Sequence, residues 1–158
     1  LPGDHLNRAA LAVDLDASLG ASPSPEADHE RRVAIYDLLE ENSFALLSGP
    51  QGPYKLQLST HDGRLLFEIF NEREEKISII GLSMSPFRAI VKDYFLICES
   101  YYRAIRLSTP SQIETIDMAR RGLHNEGSEI LRVRLGGKAE MDLDTARRLF
   151  TLVVALLA

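Results

Sequence analysis

The residues most able to do chemistry cluster between Arg120 and Glu129. On a helix, Arg120, His124 and Ser128 are four apart and share one face, and Arg121 and Asn125 share another. Two guanidinium forks beside an imidazole suit phosphate or carboxylate binding. His124 also has the ordinary pKa range for proton transfer, with Glu126 as a carboxylate partner. Those two residues are separated by about 200° around a regular helix, so pairing them needs a break near Gly127. Lys92 and Tyr102 on the preceding helix extend the set. The candidate ligand site is therefore Arg120, Arg121, His124, Asn125, Glu126, Lys92 and Tyr102. The alternative is that these groups form hydrogen bonds and salt bridges between helices, because structural networks imitate functional ones.

Other chemistries find less support. Cys98 is the only cysteine, so no disulfide can form within the chain. It sits on an apolar stripe between Tyr94 and Tyr101, where burial raises a thiol pKa and quiets it. Position 104 is Ala, so the Cys-x5-Arg cradle of tyrosine phosphatases is absent. His5, His29, His61 and His124 are widely spaced, and no His-x3-His pair suggests a metal site. No Gly-x-Gly-x-x-Gly or P-loop run marks a nucleotide, and Gly136-Gly137-Lys138 reads as a helix terminus. The sequence thus calls for no metal and no cofactor. Arg88, Lys92, Arg120, Arg121, Arg147 and Arg148 form either a local basic patch or ordinary surface pairs with Glu99, Glu114 and Asp144.

The 158 residues are a usual length for one domain, and all of 1–158 is read so. Residues 1–8 are read as a disordered or tag-derived start. A domain of this size buries roughly 68–70% of its unfolded surface, enough to fold without a metal or disulfide. A net charge of −5 disfavours nucleic acid. The longest apolar tract, Leu149 to Ala158, is too short to span a membrane and reads as a buried helix. A reducing, cytoplasmic setting is expected.

The elements follow from periodicity. Leu11, Val13 and Leu15 alternate with polar or small residues as a half-buried strand. Residues 17–25 form a loop ending in Ser24-Pro25, which caps and opens a helix running to about Asn42. Its inner stripe is Arg31, Ala34, Ile35, Leu38 and Leu39. Tyr54 to Ser59, Leu65 to Phe70 and a strand from Ile77 make a β-meander. Asp62-Gly63 turns its first hairpin, and a phase change between Ile79 and Ile80 signals a bulge. Ser85-Pro86 opens a helix to Arg106, expected to be central and to bury Ile90, Val91, Tyr94, Cys98 and Tyr101. Thr109-Pro110-Ser111-Gln112 is a capping box. Gly122 and Gly127 interrupt the next helix, either for close packing or as a bend. Asp142 or Asp144 caps the last helix. The predicted fold is α+β: a small antiparallel sheet of about four strands, three in a meander, packed against about four helices.

Long runs resemble one family. His29-Glu30-Arg31 with Asp37 to Phe44, Pro86-Phe87-Arg88 with Val91 to Phe95, Ile97 to Tyr102, Arg120 to Glu129 and Asp144 to Leu152 are similar to the alphaproteobacterial uncharacterised protein family 0262. The resemblance covers about residues 29 to 153 and implies no particular activity. From the residues themselves, the leading expectation is a non-enzymatic interaction or regulatory module, binding a protein partner or a second copy of itself. The rival is a binding protein or enzyme for a small anionic ligand at the cluster above.

Overall fold

A computed structural model describes residues 11–22 and 24–157. The reading of residues 1–8 lies outside these. The elements run β1 (Leu11–Leu15), a 3-10 turn (Ala17–Leu19), α1 (Pro25–Glu40), β2 (Phe44–Leu46), β3 (Tyr54–His61), β4 (Arg64–Phe70) and β5 (Lys76–Ser83). They continue as α2 (Ser85–Leu107), α3 (Pro110–Leu135), β6 (Ala139–Met141) and α4 (Leu143–Leu157). The chain is α+β, with four α-helices among the described residues.

The sheet is mixed, not antiparallel throughout. β3, β4 and β5 form the meander, but β1 joins β3 in parallel, pairing Leu11 with Tyr54 and Leu15 with Leu58. The physical reason is the connection: a helix lies between the two strands, and a crossover returns a strand in the same direction. A second, two-stranded sheet pairs β2 with β6. At three residues each, these strands are too short to show a period in the sequence.

Turn chemistry sets the meander. Asp62 and Gly63 both have positive φ, 51° and 73°, as a two-residue hairpin of this twist requires. The bulge falls earlier than the apolar phase suggests: Ile69 pairs with Ser78 and Phe70 with Lys76, leaving Ile77 as the extra residue. One sheet face, carrying Leu56, Leu58, Leu65, Phe67, Ile69, Ile80 and Leu82, is buried. The other alternates Lys55, Gln57 and Glu68 with partly exposed apolar side chains.

Capping is local and follows the residue types. Ser24 Oγ accepts from the Ala27 amide at 3.1 Å. Thr109 and Gln112 complete a reciprocal box. Asp142, rather than Asp144, caps α4, accepting from the Thr145 amide at 2.8 Å. Ser85 is already inside α2, and Met84 takes the cap position without a side-chain bond. In α1, Arg31, Ala34 and Leu38 are buried, but Leu39 turns outward.

The central helix is α4, not α2. Nine α4 residues from Thr145 to Leu156 are buried, because it is apolar on nearly every side. It packs between α1 and α3. In α2 only Phe87, Ile90, Val91 and Ala104 are buried, and Tyr94, Cys98 and Tyr101 are half-buried. The distal half of α2 leans mainly on α3, and in the first half of α3, through Glu126, no residue is fully buried.

Gly127 fixes the crossing of α3 and α4. A Cβ at this position would overlap the Phe150 ring, whereas a Cβ at Gly122 would meet nothing. Gly127→Ala should therefore destabilise the fold by about 2 kcal/mol through overpacking. Gly122→Ala should stabilise it by about 0.5–1 kcal/mol through helix propensity. Urea unfolding midpoints of the two variants check this pair.

Candidate functional site

The predicted residues fall into four environments. Arg120 and His124 both face Tyr94 of α2. Arg121, Asn125 and Glu126 lie exposed on the outer side of α3. Lys92 is exposed beside a shallow 470 Å³ depression with Met84, Arg88, Leu96 and Leu157, and Tyr102 lines a separate groove. The seven side chains do not converge on one concavity.

Asp117 gathers the arginines. Arg120 contacts its Oδ1 at 2.6 Å and Arg121 its Oδ2 at 3.2 Å, one and the same carboxylate serving both. Arg120 also lies over the Tyr101 ring, 5.1 Å from its centroid. The sequence spacing of three and four residues from Asp117 dictates this: a helix brings both cations onto one acid.

His124 is a packing and hydrogen-bonding residue in this geometry. Its ring stands edge-to-face with Phe150 at 5.2 Å and tilted against Tyr94 at 5.5 Å. Nε2 lies 2.8 Å from Thr151 Oγ1. The Thr151 hydroxyl donates its hydrogen to the Arg147 carbonyl at 3.0 Å, so Nε2 must carry the hydrogen between them. That fixes the neutral Nε2–H tautomer. Burial pushes the His124 pKa down to about 4, and the Arg147 and Arg120 charges push the same way. Glu126 points elsewhere on the helix, and no break at Gly127 brings it to the imidazole, because α3 is continuous from Pro110 to Leu135.

Around Tyr94 the remaining titratable groups are quiet. Burial pushes the Tyr94 phenol up to about 12, with the adjacent Cys98 thiol adding to the effect and Arg120 opposing it. Burial likewise raises the Cys98 pKa. A protonated thiol is a poor nucleophile. Among the described residues, no three His, Cys, Asp or Glu side chains gather in a metal-binding arrangement.

A concavity of 530 Å³ lies between α1 and α2. His29, Glu30, Val33, Ala34 and Asp37 form one wall, and Tyr94, Phe95, Cys98, Glu99 and Tyr102 the other. Thr151, Val154 and Ala155 of α4 form the floor. The sequence reading found Tyr102 but missed the α1 wall. Its signal was there: Val33 is an apolar residue on an otherwise wet face, and it is exposed.

The class defined by this architecture is an α+β domain with a helix-walled groove. The sequence profile of the Uncharacterised protein family (UPF0262) matches residues 7–158, and the chain belongs to that family. It is 60% identical over 149 residues to a UPF0262 protein of Ruegeria pomeroyi, covering 91% of this chain and 92% of the relative. A UPF0262 protein of Hyphomonas neptunium is 59% identical over 147 residues, covering 92% and 90%. One of Brucella canis is 54% identical over 157 residues, covering 99% and 98%. These names assign no activity. No solved structure matches the chain.

His124 gives the fold a pH dependence with a definite sign. Its pKa is about 6.5 unfolded and about 4 folded, so between these values the unfolded chain binds more protons. The stability this group contributes is fully present above pH 6.5 and is lost as pH falls towards 4. The expected loss is on the order of 2 kcal/mol. His124→Gln should flatten this part of the profile, as read by urea melts across that pH range.

Proposed function

We propose that this protein is a non-enzymatic interaction module of the cytoplasm whose partner docks in the groove between α1 and α2. One observation carries the reading: the open groove is lined mainly by apolar and aromatic side chains, while the groups suited to catalysis are neutral or already paired. Recognition surfaces favour an apolar, aromatic-lined centre with a polar rim. Val33, Tyr94, Phe95 and Tyr102 supply the centre, and Glu30, Asp37 and Glu99 the rim. No helix among the described residues is long and apolar enough to cross a membrane.

The rival reading, a small-anion site on Arg120, Arg121, His124 and Asn125, has less support. Asp117 already engages both guanidinium groups and offsets one of their two charges, and a neutral imidazole adds no charge.

Affinity purification of the intact protein from its native cell tests the proposal. Wild type should retain a specific partner that Val33→Glu and Tyr102→Ala both lose, since both residues are exposed on the groove walls. Recovery of the same proteins with all three chains would overturn it. So would a phosphorylated or carboxylate metabolite whose thermal stabilisation disappears in Arg121→Ala. At ~100 times its dissociation constant, such a ligand would add roughly 2.7 kcal/mol.

A further inference from the structure

The four helices form an incomplete ring. α1 packs on α4, α4 on α3, and α3 on α2, but α1 and α2 are not packed against each other. The groove is this open seam. Its two walls present the same helical stripe: positions 29, 30, 33, 34 and 37 on α1, and positions 94, 95, 98, 99 and 102 on α2. Each stripe spans eight residue steps, about 12 Å at the helical rise, or just over two turns.

The shape selects the occupant's secondary structure. Both walls and the floor are helices, whose interior backbone groups are already bonded within each helix. An extended strand would find no sheet edge here and would leave its own amides and carbonyls unpaired. A helix carries its backbone bonds with it and can lay an apolar stripe over Ala34, Val154 and Ala155.

The charge selects the occupant's flanks. Glu30 and Asp37 stand on one wall and Glu99 on the other, and among the described residues no Lys or Arg lines the groove. Glu30 is near enough to act electrostatically on the Cys98 thiol of the opposite wall. An incoming helix therefore meets carboxylates on both sides of its apolar stripe. Complementary charges on such a rim speed association and exclude acidic competitors.

Resting on the docking function proposed above, we infer that the seam receives a basic amphipathic helix from a partner protein. That helix carries two to three turns of apolar i, i+3, i+4 and i+7 positions, with Lys or Arg on both flanks.

Two labelled synthetic peptides of about 12 residues test this, since that length gives three helical turns. They share a leucine stripe and differ only in carrying Lys or Glu at the flanking positions. Their binding to the full chain is read by fluorescence anisotropy. The Lys peptide should bind about tenfold more tightly than the Glu peptide, as expected for two or three exposed ion pairs acting together. The double change Glu30→Lys with Glu99→Lys should invert that order. Glu72→Lys with Glu140→Lys changes the net charge equally, away from the groove, and should leave the order intact.

Equal binding of the two peptides, preference for the Glu peptide, or inversion by the remote pair would overturn the inference. If Val33→Glu abolishes binding of a peptide that shows no charge preference, the groove still docks a helix and only the basic partner is wrong. If Val33→Glu and Tyr102→Ala leave binding of both peptides unchanged, the docking reading falls with it. Self-association seen by sedimentation and abolished by Val33→Glu would assign the seam to a second copy and also overturn the inference.

Discussion

A helix that is apolar on almost every side has to be covered on every side, and α4 imposes that requirement on the rest of the chain. Leu149, Phe150, Leu152 and Val153 are at most 1% exposed, which needs a flanking helix on each side and further apolar cover. α1 and α3 flank α4, and the sheet's apolar face joins the same continuous core. Burial of several large side chains at roughly 1.5–3 kcal/mol each makes this the main term favouring the fold. The end of such a helix carries unpaired carbonyls, which are costly away from water. Buried Arg31 meets that need: its Nε donates to the Ala155 carbonyl at 3.4 Å and its Nη1 to the Gly20 carbonyl at 3.2 Å. A cation at a helix C-terminus also complements the helix dipole. One side chain thereby ties the β1–α1 loop, α1 and the end of α4 together.

Covering α4 uses α1 and α3 fully and α2 only in part. The first turns of α2 bury Phe87, Ile90 and Val91, and beyond them the helix leaves the core and is supported chiefly by α3. That departure opens the seam between α1 and α2. It also explains why Tyr94, Cys98 and Tyr101 are half-buried despite lying on an apolar stripe. The aromatic cluster of Tyr94, His124 and Phe150 fills the point where α2, α3 and α4 diverge. Gly127 lets the Phe150 ring reach the α3 backbone there. Of the residues that look most chemical in the sequence, Arg120 and His124 thus pack into a helix junction. The groove beside them is a consequence of the same divergence.

The sequence by itself determined what depends on near neighbours. Asp62-Gly63 dictates a tight hairpin because both positions tolerate positive φ. Ser24, the Thr109–Gln112 pair and Asp142 cap helices because their side chains reach amides two or three residues on. The alternation in β3 and β4 and the all-apolar surface of α4 announce burial directly. The pairing of Arg120 and Arg121 with Asp117 also follows from three- and four-residue spacing, although the four-residue spacing of Arg120 with His124 and of Arg121 with Asn125 suggested an anion site.

Tertiary structure decided everything that depends on which surfaces meet. The parallel partnership of β1 with β3, across about 40 intervening residues, is set by how α1 lies over the core. The three-residue strands β2 and β6 exist only because distant segments come together. A hydrophobic stripe marks a face as apolar but does not say how far along the helix a neighbour will cover it, so α2 and α4 exchanged the central role. His124 became a neutral donor to Thr151 rather than a base, through a contact 27 residues away in sequence. The α1 wall of the groove stayed hidden for the same reason. Glu30 and Asp37 read as an ordinary wet face, and only the gap opposite α2 turns that face into one side of a cleft.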